Sequence, residues 1–178
     1  MRVLVLGGYG LIGMAAVRRL LDDGHEVFAL GRATTTAARR CAKARWVEAD
    51  LAHLTTPAHW TVLLAETKVE AIVNAAGALQ DGPRDDVAAV QSECMRALYK
   101  AARERGVARV VQISATRAAP DAATTFMRTK GEADRALMSS MLEWTILRPG
   151  LVISREAYGG TALLRALAAF PYVQPVSY

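Results

Sequence analysis

Cysteine is nearly absent from this chain, and the two present, Cys41 and Cys94, stand far apart with no metal-ligand spacing. Two isolated thiols build neither a disulfide framework nor a zinc site, and they fit a reducing compartment, so a cytoplasmic location is expected. Histidine is scarce as well: His25, His53 and His59 have no cysteine or carboxylate partner at ligand spacing, so no metal site is expected. Aromatic residues make up only 6% of the chain, and none interleaves with the arginines after the second apolar run. That pattern, with no recognition helix or nucleic-acid motif in view, argues against a nucleic-acid partner. Long apolar runs are also missing: none approaches the roughly 18 residues of a bilayer span, and no secretory signal precedes the first glycine turn. No membrane segment is expected.

What is abundant is Ala, Val and Leu, within a hydrophobic content of 52%. Such a composition suits helices packed closely on a buried parallel sheet. At 178 residues the chain holds one domain with a sizeable core and no complete second one. The formal net charge is +5, and much of the excess lies in Arg32, Arg39, Arg40, Lys43 and Arg45, directly after the second apolar run. In a dinucleotide fold that is where the adenosine ribose is held, so a phosphate-bearing cofactor is favoured over other anions.

Apolar runs of strand length alternate with segments of helical period, the order that produces βαβ units. Strands are predicted at Arg2–Leu6, Glu26–Leu30, Trp46–Ala49, Ala71–Asn74, Arg109–Ser114 and Trp144–Leu147. Helices are predicted at Leu11–Asp22, Leu54–Glu66, Val87–Arg105, Lys130–Met141 and Thr161–Phe170, with a Thr-rich basic loop after the second strand. The expected fold is an α/β, doubly wound, three-layered Rossmann sheet. Its boundary falls near Gly150: residues 1–153 form the nucleotide-binding domain, and 154–178 are only the beginning of a smaller lobe.

Gly7, Gly10 and Gly13 fall three residues apart between the first strand and the first helix. In that context glycines let the backbone turn tightly, approach a pyrophosphate and pack the helix on the strand, while the helix N-terminus supplies amides and a positive dipole. Tyr9, Leu11 and Ile12 then line the phosphates and ribose. At the end of the second strand, where an acid would hold both ribose hydroxyls of NAD, the sequence reads Leu30-Gly31-Arg32. A guanidinium there pairs with a 2′-phosphate, so NADP (NADPH) is preferred to NAD. The competing reading of Arg32 is a solvated loop charge.

The spacing Gly-x-x-Gly-x-x-Gly resembles the extended and atypical short-chain dehydrogenases/reductases. Asn74-Ala75-Ala76-Gly77 resembles the Asn-Ala-Gly signature of that superfamily, in which Ala75, Ala76 and Gly77 would run along the cofactor ribose. Trp144-Thr145-Ile146-Leu147-Arg148-Pro149-Gly150 resembles the strand-six segment of the atypical families, whose turn at Pro149 would pass beside the nicotinamide. The likeness runs from Met1 to about Ile153 and is nearest the NmrA-like proteins and the NADPH-binding accessory subunits of respiratory complex I. It implies that Asp50 accepts from the adenine amino group beside Leu51, although an N-cap or turn role for Asp50 competes. Family members continue well past the length seen here, so the resemblance predicts a C-terminally truncated member, with Gln174-Pro175-Val176 entering the missing lobe.

The resemblance also implies a proton-transfer group of Ser, Tyr and Lys. Ser114 matches the Ser and Lys130 the Lys, but Phe126 stands where the Tyr belongs. A phenyl ring carries no ionisable proton, and proton transfer of that kind contributes about 100- to 10,000-fold. Lys130 keeps a use without the Tyr, since its ammonium donates hydrogen bonds to a cofactor ribose. Tyr158 is the candidate for a substitute acid. Two readings follow: an NADPH-dependent oxidoreductase acting on a small molecule, and a non-catalytic NADP(H)-binding redox sensor or stabilising module. Oligomeric state is not legible.

Overall fold

In a computed structural model the chain is described over residues 1–83 and 86–153, with four further alanines, Ala162, Ala166, Ala168 and Ala169. Tyr158 and the Gln174-Pro175-Val176 segment lie outside the described residues, and of the expected helix at Thr161–Phe170 only these four alanines are described, Ala162, Ala166 and Ala168 as helix. The strands are β1 (Arg2–Leu6), β2 (Glu26–Gly31), β3 (Arg45–Glu48), β4 (Ala71–Asn74), β5 (Arg109–Ile113) and β6 (Glu143–Leu147). They form one six-stranded sheet in the order β3-β2-β1-β4-β5-β6, parallel at every pairing. This is the doubly wound Rossmann arrangement that the alternating runs predict.

β1 is buried on both faces because its side chains alternate between two cores. Leu4 and Leu6 join Phe28, Leu30, Ile72 and Val110 beneath the helices carrying Trp60, Leu98 and Leu137. Val3 and Val5 point the other way, with Val27 and Ala29, against Val17. The helices are α1 (Leu11–Asp22), α2 (Thr35–Arg40), α3 (Pro57–Thr67), α4 (Cys94–Glu104) and α5 (Thr125–Met138). A 3₁₀ turn covers Leu51–His53, and a wide π-helical turn at Ala89–Glu93 runs directly into α4.

Several boundaries differ from expectation for local reasons. The segment read as a Thr-rich loop contains the short helix α2. α5 begins five residues before Lys130 because Thr124 caps it, its hydroxyl accepting from the Met127 amide at 3.3 Å. Trp144, at the start of the predicted sixth strand, is 44% exposed on β6. Arg45, counted among cations near the ribose, stands at the other end of the sheet. There it pairs with Glu26 at 2.9 Å and lies over the Phe28 ring.

The strand order reverses between β1 and its neighbours β2 and β4, which opens a crevice at the carboxyl ends of these strands. Two glycines set how closely its parts approach. Gly7 adopts φ +68°, and a Cβ on it would lie 2.8 Å from the Ala76 Cα. A Cβ on Gly13 would lie 2.1 Å from the Gly7 carbonyl oxygen, so α1 rests on the turn at van der Waals distance only because that carbon is absent. Gly13→Ala is therefore expected to lower stability by about 1–3 kcal/mol, the usual cost of forcing extra volume into a packed site. Denaturant unfolding measures this, and a loss below about 0.5 kcal/mol would contradict the packing argument.

Candidate dinucleotide-binding site

The crevice is a cleft of about 400 Å³, within the range of small-molecule and cofactor sites. Its walls come from the carboxyl ends of four strands. Gly7, Tyr9, Gly10, Leu11 and Ile12 supply the β1–α1 turn, and Leu30, Gly31 and Arg32 the end of β2. Ala49, Asp50 and Leu51 come from the end of β3, and Ala75, Ala76, Gly77, Ala78 and Leu79 from the loop after β4, with Val90 beside it. Every cofactor contact expected from sequence, apart from Lys130 and Pro149, lines this one cleft.

Helix α1 opens on Gly10, which offers no side-chain cap, and its first internal bond runs from Met14 N–H to the Gly10 carbonyl at 2.9 Å. The amides of the first turn therefore face the cleft with only the backbone as neighbour, a ready site for diphosphate oxygens. The Tyr9 ring meets Gly31 edge-on: a Cβ on Gly31 would sit 2.2 Å from the Tyr9 Cδ1. Sequence reading missed this contact, whose signal is an aromatic in the turn coupled to a glycine ending β2. Asp50 serves in the turn as its competing role suggests, one oxygen accepting from the Ala52 amide at 3.0 Å, while still lining the cleft.

Beneath the loop after β4 lies a buried polar network. Asn74 donates to the Gln112 Oε1 at 2.7 Å and accepts from the Ala76 amide at 3.0 Å, and the Tyr99 hydroxyl donates to the same Gln112 oxygen at 2.9 Å. Lys130 is only 5% exposed, and its Nζ donates to the carbonyls of Ala76 at 3.0 Å and Ile113 at 2.9 Å. Burial pushes its ammonium down to about 8, against the opposing pull of Asp134. The Ser114 hydroxyl donates to the Asp134 carboxylate at 2.7 Å, which also accepts from Arg148 at 3.0 Å. Phe126 is half-buried near the start of α5. Ser114, Lys130 and Pro149 are not among the residues that line this cleft, and Ser114 and Lys130 are buried, each already hydrogen-bonded to protein.

Among the described residues no group of three or more His, Cys, Asp or Glu stands where it could hold a metal. Among the same residues no helix is long and apolar enough to cross a membrane.

A parallel sheet in this order, a glycine turn opening a helix at its switch point, and a cleft spanning both sides of that point define a dinucleotide-binding Rossmann domain of the short-chain dehydrogenase/reductase type. A protein family described as NAD(P)H-binding matches residues 7–169, and the chain belongs to that family. It is 42% identical over 78 residues to a dTDP-6-deoxy-L-talose 4-dehydrogenase (NAD(P)(+)) of Kitasatospora kifunensis, an alignment covering 44% of this chain and 23% of the relative. To a UDP-glucose 4-epimerase of Mycolicibacterium smegmatis it is 38% identical over 125 residues, covering 64% of this chain and 38% of the relative. The alignments thus span less than two fifths of these relatives' own length. The crystal structure of the Bordetella bronchiseptica enzyme WbmG in complex with NAD superposes with a TM-score of 0.76 at 23% identity, covering 95% of this chain and 60% of that one. That likeness is one of fold.

Lys130 gives the site a pH signature. The folded chain releases the Lys130 proton near pH 8, while the unfolded chain keeps it to about 10.5. Above pH 8 the unfolded state therefore binds more protons, and this group raises stability as pH climbs. The rise is expected to be readable between about pH 8 and 9, at up to roughly 1 kcal/mol per pH unit. Above pH 9 Cys94 opposes it, because burial pushes the thiol up to about 12 and deprotonation then favours unfolding. Denaturant titrations across this window should show the rise in the native chain and its loss in Lys130→Met; parallel curves would sink the assignment.

Proposed function

We propose that this domain binds NADP(H) and presents it for hydride exchange with a small molecule. The observation that carries the reading is Arg32, which lines the cleft at the end of β2 beside Gly31, where that strand end brings no carboxylate. A carboxylate there would repel a 2′-phosphate, whereas a guanidinium attracts it and can bind two of its oxygens. The α1 amides would hold the diphosphate, Tyr9 and Asp50 would border the adenosine half, and Ala75–Gly77 would border the ribose toward the nicotinamide. The nicotinamide supplies the hydride when bound. What this chain's residues do is bind, orient and shape the cleft.

A second reading, a non-catalytic NADP(H)-binding module, is favoured by the state of the proton-transfer positions. Phe126 has no proton to give, Ser114 already donates to Asp134, and Lys130 already donates to two carbonyls. The relatives named above carry activities on sugar nucleotides, but the aligned parts cover a minority of their length, so their substrates do not decide between the readings.

Calorimetric titration with NADPH and NADH tests the cofactor assignment. NADPH is expected to bind at least tenfold more tightly, and Arg32→Asp is expected to erase or reverse that ratio, since an acid replaces the phosphate's partner. An unchanged ratio would overturn the choice of NADP(H). The second test follows NADPH absorbance with carbonyls, quinones and flavins as acceptors. Oxidoreductase action is expected to consume NADPH with at least one of them. If none is consumed and Phe126→Tyr also stays at background, the binding-module reading replaces it.

A further inference from the structure

We infer that Gln91 and Lys130 form a clamp beneath the loop after β4 that turns two backbone amides, those of Gly77 and Leu79, toward the dinucleotide as a second set of donors facing the α1 N-terminus. The inference rests on the dinucleotide reading above and extends it to Gln91, a residue with no place in the motifs.

The geometry begins with the π-helical turn at Ala89–Glu93. A π turn adds a residue to the helical register and so swings one side chain out of the ordinary 3.6-residue stripe; such turns recur at functional sites. Here the turn carries Gln91, which is 2% exposed and lies under the cleft wall. Its Nε2 donates to the Ala78 carbonyl at 2.8 Å. From α5, Lys130 Nζ donates to the Ala76 carbonyl at 3.0 Å. The two side chains thus hold the carbonyls on either side of Gly77. The inward space at Gly77 is bounded by the same pair, with Gln91 Oε1 and Lys130 Nζ each 3.4 Å from where a Cβ would stand.

A trans peptide points its C=O and the following N–H in opposite directions. With the Ala76 carbonyl fixed inward, the Gly77 N–H faces outward; with the Ala78 carbonyl fixed inward, so does the Leu79 N–H. Burial follows the same alternation: Ala76 and Ala78 are buried, and Gly77 and Leu79 are exposed. Residues 76 to 79 all line the cleft, and neither outward amide has a hydrogen-bond partner among the described residues. Donors free of protein partners in a cleft wall suit the hydroxyl or phosphate oxygens of a dinucleotide, which offer acceptors and no competing side chain.

The clamp is built from strong groups. An ammonium–carbonyl bond is charge-assisted, and a buried amide side chain that loses its acceptor cannot turn to water. Gln91 also keeps an unpartnered buried Oε1, so the side chain is fixed by its donor end alone. Removing that donor should free the Ala78 carbonyl and let the loop rotate its amides away from the cleft. Gln91 is in this sense a positioning residue that acts through backbone.

The test uses the 15N-labelled chain titrated with NADPH, read by amide chemical shifts and by calorimetry. In the native chain the Gly77 and Leu79 amides are expected to move downfield on binding. In Gln91→Met, of similar length but without a donor, those two shifts are expected to shrink and NADPH affinity to fall about five- to tenfold, the range for one or two backbone hydrogen bonds. Gln91→Leu, which also lacks a donor, should behave alike. A role confined to packing would change thermal stability and leave the two shifts intact; that result, or affinity within twofold of native, overturns the clamp. Should both variants fail to fold, the native titration still decides, since binding without movement of either amide overturns the inference. A native chain that binds neither NADPH nor NADH overturns the cofactor reading itself, a different failure from loss of the clamp.

Discussion

The structure depends on backbone meeting backbone at one point, where the turn after β1 touches the loop after β4. Gly7 lies against Ala76 with no room for a Cβ, and Gly13 brings α1 onto the Gly7 carbonyl in the same way. These contacts hold the two sides of the switch point together, so the α1 amides and the β4 loop face one another across one cleft. Side chains larger than hydrogen at either position would part the walls and remove the geometry that a diphosphate needs. The rest of the sheet supports this approach: β1 is buried on both faces, and its register with β2 and β4 fixes the height of each loop.

The polar residues under the β4 loop meet a second requirement. A loop that leaves the sheet beside a cleft must satisfy its inward carbonyls without water. Lys130 does this for the Ala76 carbonyl, Asn74 at the strand end accepts from the Ala76 amide, and Gln112 joins Asn74 to Tyr99. Lys130 carries its charge into a nearly dry place, and the cost appears as an ammonium that gives up its proton near pH 8. The same lysine that a dehydrogenase would turn toward a ribose is here committed to carbonyls of Ala76 and Ile113.

The fold was legible in the sequence because parallel strands write themselves as short apolar runs, and the glycine turn between Leu6 and Leu11 fixes the order of the first unit. The cleft was legible for a related reason: Gly7, Tyr9, Arg32, Asp50 and Ala75–Gly77 each stand just after a strand, and parallel strands deliver their ends to one edge. What sequence could not supply was depth. Ser114 and Lys130 occupy the motif positions, yet which way a side chain turns at a strand end or within a helix depends on partners brought by tertiary packing. Here those partners are Asp134 and two loop carbonyls. Gln91 was invisible for a stronger reason, because a helical wheel of period 3.6 misplaces every residue within a π turn. Arg45 misled in the other direction, since closeness in sequence to Arg32 says nothing about which end of a strand a residue occupies.

The burial of the proton-transfer positions, each bonded to protein, bears on how such a domain works. Hydride exchange with a carbonyl needs a proton at the oxygen as well as the hydride at carbon, so both donors must stand within reach of one small molecule. Phe126 removes the phenol, and the hydroxyl of Ser114 is held by a carboxylate that Arg148 also grips, an arrangement that ties the ends of β5 and β6 to α5. A serine donating to a carboxylate keeps its oxygen as an acceptor, so it can orient a hydroxyl or a water but has little proton to give. Under the oxidoreductase reading, the proton must then come from water or from an acid other than Ser114 and the residue at position 126.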